Sequence, residues 1–60
     1  MTIDEAIKHT KRVLYEHSIA MSPEQIAAVE LGIEALKNYQ SMKRTGEIWE
    51  GFRLPEEEEE

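Results

Sequence analysis

Two helix-start signals, twenty residues apart, constrain this sequence more than any other feature. Thr2 and Glu5 have the spacing of a capping box, in which each side chain accepts a hydrogen bond from the other residue's backbone N–H. Ser22 and Gln25 repeat this spacing, and Pro23 between them suits the first position of a helix. The chain is therefore predicted to be all-α, with two helices.

The apolar residues of both predicted helices recur at spacings of three and four, the period of an α-helix that buries one stripe. Helix one is predicted over about residues 3–17 and helix two over 23–44, where Lys43 and Arg44 suit the negative end of the helix dipole and Gly46 favours termination. The two stripes should face each other in an antiparallel hairpin. They consist of Ile3, Ile7, Thr10, Leu14 and His17 in helix one and of Ile26, Val29, Ile33 and Leu36 in helix two.

Helix two carries a second apolar face beside its main stripe, and one partner helix cannot cover both. A hairpin over residues 1–46 also buries only a modest core. We therefore expect two copies to pair through the second face into a homodimeric four-helix bundle. Gly32 favours this pairing, because a mid-helix glycine costs about 1 kcal/mol relative to alanine; the alternative is that Gly32 simply faces solvent. The predicted dimer interface consists of Ala28, Leu31, Gly32, Ala35, Tyr39 and Met42.

Residues 47–55 hold the only Trp and the only Phe of the chain, and the helical periodicity stops before them. Exposed aromatic surface is unfavourable in a free tail, so this segment should dock. One interpretation folds Ile48, Trp49 and Phe52 back over the hairpin, where they add to its core. The other makes the segment a recognition motif, with Trp49, Phe52 and Leu54 as anchors for a partner protein.

The net charge of −6 lies wholly in the C-terminal part of the chain. Residues 1–46 hold six acidic and six basic side chains, whereas residues 47–60 hold seven glutamates and only Arg53. Five of those glutamates form the run 56–60, which buries nothing and repels itself, so we expect it to be disordered. The result is a neutral body with an acidic tail that steers the chain toward a basic partner surface.

A small basic patch on helix one suggests a different function. Lys8, Lys11 and Arg12 lie close together there, and a dimer would present them twice, to nucleic acid or to an anionic small molecule. Asp4 and Glu16 stand four residues from Lys8 and Arg12, so the patch is also explained as an ordinary solvated face. The overall negative charge disfavours nucleic acid as a partner.

Sequence patterns typical of enzymes, metal sites and membrane spans are missing. The chain has no cysteine, His9 and His17 do not have the spacing of a metal-binding pair, and no Ser-His-Asp arrangement or glycine-rich phosphate loop is present. The longest apolar run, residues 26–29, is far shorter than the roughly 20 residues that a bilayer span requires. We expect a non-enzymatic protein without metal or cofactor, located in the cytoplasm.

Residues 1–8 (MTIDEAIK) and 22–36 (SPEQIAAVELGIEAL) resemble small helical proteins encoded by bacteriophages and prophages. The resemblance implies a cytoplasmic setting in an infected bacterium and a role as a small inhibitor or adaptor, including the blocking of a host defence protein. It carries over no catalytic or binding residue. The expected function is thus a homodimeric protein-binding module that inhibits a bacterial host protein. The alternatives are the anion-binding patch and a structural subunit that joins a larger assembly.

Overall fold

The computed structural model describes residues 1–59, and within that range it is an α-helical hairpin without strands. Helix α1 spans Ile3–His17 and helix α2 spans Pro23–Arg44, with a short 3-10 turn at Ser18–Ala20 between them. The prediction of an all-α chain with two helices is confirmed. Neither helix, over the residues described, is long and apolar enough to cross a membrane.

Both helix starts carry complete capping boxes. The Thr2 hydroxyl accepts a hydrogen bond from the Glu5 N–H at 3.1 Å, and the Glu5 carboxylate accepts one from the Thr2 N–H at 3.0 Å. These hydrogen bonds hold the pKa of Glu5 below its ordinary value, since they favour its charged form. Ser22 and Gln25 form the same pair at the start of α2, at 3.1 and 2.8 Å. Because these contacts are local, they fix the helix starts independently of the packing.

Helix α2 ends where a glycine reverses the backbone. Gly46 has φ +78°, a left-handed conformation that glycine adopts without a steric penalty. The N–H groups of Glu47 and Gly46 donate to the carbonyl oxygens of Met42 and Lys43 at 2.9 and 3.4 Å. This arrangement satisfies carbonyls of the last turn, as in a Schellman motif, and it turns the chain back toward the hairpin.

The core of the hairpin is small. Among residues 1–59 the buried hydrophobic side chains are Ile3 and Ile7 of α1 and Ile33 and Tyr39 of α2, each between 6% and 8% exposed. His17, expected at the end of the α1 stripe, is exposed. Partly buried hydrophobic residues surround this core: Leu14, Val29, Leu36, Ile48 and Leu54.

Residues 47–59, called the strap from here on, fold back over the open end of the hairpin. Ile48 and Leu54 pack against the core. The Glu58 N–H donates to the carbonyl oxygen of Met1 at 2.8 Å, and the Met1 ammonium donates to the carbonyl oxygen of Glu56 at 2.9 Å. The two ends of the described chain therefore lie side by side, and the strap adds apolar cover that the two helices lack.

Candidate protein-interaction surfaces

The strap is anchored on Glu57, whose side chain is only 6% exposed. The Tyr39 hydroxyl donates to Glu57 Oε1 at 2.5 Å, and the Leu54 N–H donates to the same oxygen at 2.9 Å. Lys43 Nζ lies 3.7 Å from Glu57 Oε2 and donates to the Phe52 carbonyl oxygen at 2.5 Å. One carboxylate therefore ties the strap to two successive turns of α2.

This network sets the ionisation of its own members. Burial, together with the hydrogen bond to Glu57 and its negative charge, raises the pKa of Tyr39 to about 12. Burial alone would raise the pKa of Glu57, but the hydrogen bonds from Tyr39 and Leu54 and the charges of Lys43 and Arg53 outweigh it and lower that pKa. Glu57 is therefore charged and Tyr39 neutral through the neutral range, the states that the hydrogen bond requires.

The sequence predicts disorder for the acidic run, whereas residues 56–59 of that run form defined contacts with the rest of the chain. Self-repulsion is offset because three of its carboxylates each face a separate cation, and only Glu57 among them is buried. Glu60 lies outside the described residues. The pairs are Glu57 with Lys43, Glu58 with the Met1 ammonium at 2.7 Å, and Glu59 with Arg53 at 2.5 Å.

Trp49 remains outside this packing. Its side chain is 76% exposed, although Ile48 beside it packs against the core. Its ring lies against Gly51, where an added Cβ would overlap three ring carbons. The Phe52 N–H donates to the Trp49 carbonyl oxygen at 2.9 Å and closes a turn beneath the ring. The strap thus presents a large aromatic side chain on a backbone that is itself hydrogen-bonded.

The other two predicted anchors are engaged within the chain to different degrees. Phe52 is 44% exposed and packs its ring against the ring of Tyr39, with centroids 6.2 Å apart and an interplanar angle of 61°. Leu54 packs against the core and is therefore not a free anchor. Its N–H donates to the Glu57 carboxylate, which holds this part of the strap against α2. The fold-back interpretation is therefore confirmed for Ile48, which packs against the core, and wrong for Trp49, whose ring is 76% exposed. The recognition motif stays a prediction.

A second exposed apolar surface runs along α2. We call Ala28, Leu31, Ala35 and Met42 the outer face; Leu31 is 72% exposed and Met42 36%. Tyr39 does not belong to this surface, contrary to the sequence prediction, because the strap covers its ring and binds its hydroxyl. Gly32 borders the outer face, and a Cβ built there meets no atom within 4 Å.

The basic patch of α1 is partly neutralised. Lys8 forms a salt bridge with Asp4 at 3.0 Å, and Lys11 and Arg12 are exposed. Lys11 borders an open groove of about 540 Å³ between the helices, together with Tyr15 and Ile26. No three His, Cys, Asp or Glu side chains within residues 1–59 converge as a metal site.

No protein-family model, curated protein or solved structure matches this chain.

A second concave feature is a cleft of about 280 Å³ between the strap and the end of α2. Four of the charged side chains that line it pair with one another: Lys43 with Glu57, and Arg53 with Glu59. A ligand in this cleft would have to displace contacts that hold the strap. The cleft is therefore part of the strap's attachment, and the exposed apolar surfaces at Trp49 and along α2 are stronger candidates for recognition.

Proposed function

We propose that this chain is a non-enzymatic protein-binding module that acts as a homodimer of hairpins, four helices in all, and holds its target through the strap with Trp49 as the anchor. One observation carries the proposal: Trp49 is 76% exposed on a segment that is fixed to the hairpin on both sides of it. Tryptophan is among the residues that most often dominate binding energy at protein interfaces.

The fixed backbone beneath Trp49 supports binding by a preformed surface. A disordered motif loses conformational entropy when it binds, and that loss subtracts from affinity. Here the turn from Trp49 to Phe52 and the anchor at Glu57 already order the strap. Much of the ordering has thus taken place before the target arrives.

The charges around Trp49 indicate the character of the target surface. Glu47 and Glu50 flank the ring in sequence, and their carboxylates have no salt-bridge partner among residues 1–59. A pocket that accepts the ring and carries lysine or arginine at its rim matches this arrangement. The class of target is a bacterial host protein, such as a defence protein, that the module inhibits by occupying its surface; the resemblance to small phage proteins supports this class.

The proposal is tested by affinity capture from a bacterial lysate with the full chain as bait. Trp49→Ala should lose the captured protein, while Tyr15→Ala should retain it, because Tyr15 is an aromatic residue outside the strap that is 88% exposed, more than the 76% of Trp49. Capture that survives Trp49→Ala, or that Tyr15→Ala abolishes equally, would contradict the assignment of Trp49 as the anchor.

A further inference from the structure

We infer that the open face of the Trp49 ring stacks on an arginine side chain of the target, and that the guanidinium group of this arginine pairs with Glu47 and Glu50 beside the ring. The contact rests on the proposed function and deepens it, because it names the chemical group on the target that Trp49 and its two acidic neighbours recognise.

The Trp49 indole lies flat on the backbone of Gly51. A Cβ built on Gly51 would come closest to Cζ2 of the ring, and it would be almost equally far from the two carbons bonded to Cζ2, with 2.7 Å to Cη2 and 2.8 Å to Cε2. A point at the same distance from Cζ2 but beyond the ring edge would lie farther from both of these carbons. Gly51 therefore covers one face of the six-membered ring and leaves its edge free.

The opposite face of the same ring is open to solvent. The Trp49 side chain is 76% exposed, and a ring that is covered on one face reaches this exposure only with its other face free. The hydrogen bond from the Phe52 N–H to the Trp49 carbonyl oxygen holds the turn that supports the ring. A target that reaches this ring therefore meets its π-face, the negative part of the aromatic quadrupole, which attracts cations.

The charges beside the ring favour a cation as its partner. Glu47 and Glu50 are exposed, and neither forms a salt bridge within residues 1–59. An apolar group of the target on this ring would desolvate the two carboxylates without a partner, whereas a cation pairs with them. Arg53, the basic side chain of the strap, is held elsewhere, because it donates to Glu59 Oε1 and to the Glu50 carbonyl oxygen, both at 2.5 Å.

The same chain contains a complete version of this arrangement where the strap meets α2. Lys43 Nζ lies 5.6 Å from the centroid of the Tyr39 ring and 3.7 Å from Glu57 Oε2, so one cation contacts both an aromatic ring and a carboxylate. Trp49 and its neighbours provide the ring and the carboxylates, but within residues 1–59 no cation lies over this ring. The target supplies the cation.

Arginine fits this place better than lysine does. A guanidinium group is planar and weakly hydrated, so it lies flat on an indole while its N–H groups still donate to carboxylates. A lysine ammonium is a compact and strongly hydrated charge, which loses more of its hydration on the ring. A stacked nucleobase is disfavoured, because the two glutamates repel its phosphates.

An arginine probe tests the contact in the full chain. Acetyl-arginine-methylamide is titrated at constant ionic strength and followed by proton NMR, because stacking on an indole moves the arginine Cδ protons upfield, whereas an ion pair alone does not. The shift should be lost in Trp49→Leu, which changes an exposed side chain and should keep the wild-type helical circular dichroism. The citrulline counterpart, which is planar but uncharged, should bind about two- to fivefold more weakly.

The two carboxylates are tested by charge-neutral variants. Glu47→Gln and Glu50→Gln should each weaken arginine binding by up to about fivefold while the ring stays in place. Glu16→Gln is the matched control, because Glu16 is also exposed and without a salt bridge within residues 1–59, but it lies on α1. It should leave the binding unchanged, and equal weakening by all three variants would reduce the effect to net charge and overturn the inference.

The remaining outcomes separate this contact from the proposed function. The absence of an upfield shift, a shift that persists in Trp49→Leu, or citrulline binding as tight as arginine binding would overturn the arginine contact. If the Trp49→Ala bait still loses the target in that case, target binding through Trp49 stands without it. Arginine stacking together with target capture that survives Trp49→Ala would overturn the proposed function and, with it, the placement of the arginine on the target.

Discussion

The outer face of α2 and the strap both expose large apolar side chains, yet they are built in opposite ways. The outer face is a regular helical strip without charges between residues 25 and 42, and it presents Leu31 among small residues. The strap is irregular, and it presents one ring, Trp49, between the glutamates at 47 and 50.

The difference separates two kinds of partner. A two-fold axis would place such a strip against its own copy, with apolar groups facing apolar groups. A single aromatic ring among carboxylates needs a different surface, one with a pocket and the opposite charge. We propose that the outer face serves self-association and the strap serves target binding, so a change in one surface should leave the other function intact.

Leu31→Glu should have the largest effect of these changes, and that effect should fall on the stability of the dimer. It places a charge at the centre of the outer face in both copies, and burying an unpaired charge costs several kcal/mol, so the dissociation constant of the dimer should rise about 100-fold or more. Trp49→Ala should leave that constant unchanged. Sedimentation velocity over a concentration series measures both, and a dimer weakened equally by the two changes would erase the distinction between the surfaces.

Glu57→Ala should have an intermediate effect, confined to the strap. It leaves the Tyr39 hydroxyl and Lys43 without their carboxylate partner, which should lower the free energy of unfolding by about 1–3 kcal/mol. Glu58→Ala is the matched control, since that side chain is 72% exposed and its pair should contribute at most about 1 kcal/mol. Urea denaturation compares the two variants; equal losses would mean that Glu57 is not the anchor.

The strap should also loosen at both extremes of pH. The pKa of Glu57 is lowered in the folded chain, so its contribution to stability is present above the ordinary value of 4.5 and is lost as the pH falls through the lower folded value. The pKa of Tyr39 is raised from 10.0 to about 12, so its contribution is lost as the pH rises from 10 toward 12. Trp49 fluorescence anisotropy should fall in both ranges and stay level between them.

Tyr39→Phe should remove the alkaline step of that profile, because the only change is the loss of the titrating hydroxyl. An alkaline step that persists in this variant would have to arise from a group outside the Tyr39–Glu57 pair.

Gly51→Ala should have the smallest effect, local to Trp49. The added methyl group overlaps the indole ring, so the ring must move, and the Trp49 emission maximum should shift with little change in stability. Gly32→Ala provides the comparison, because its methyl group meets no atom within 4 Å and should leave the emission unchanged. Identical spectra for the two variants would contradict the placement of the ring over Gly51.

The hairpin was predictable because its determinants are local. Thr2 with Glu5, and Ser22 with Gln25, act across three residues, so their spacing alone predicts the hydrogen bonds observed. The exposure of Leu31 also followed from the sequence, since a hairpin has only one partner for α2.

The strap contacts were not predictable, because they depend on which surface a distant segment reaches. Tyr39 lies between the core stripe and the outer face, and its 18-residue separation from Glu57 has no periodic signature. Glu57 is one of five identical neighbours. Glu56 adopts a left-handed conformation with φ 68°, and the Glu57 N–H donates to the Leu54 carbonyl oxygen at 3.0 Å. The inward placement of the Glu57 side chain accompanies this turn.

Sedimentation equilibrium of the native chain at micromolar concentration measures whether two copies pair and cover each other's outer face. The expected mass is about 14 kDa, twice the 7.0 kDa of one chain, and it should fall toward 7.0 kDa in Leu31→Glu. A native mass of 7.0 kDa across the whole concentration range would contradict this pairing.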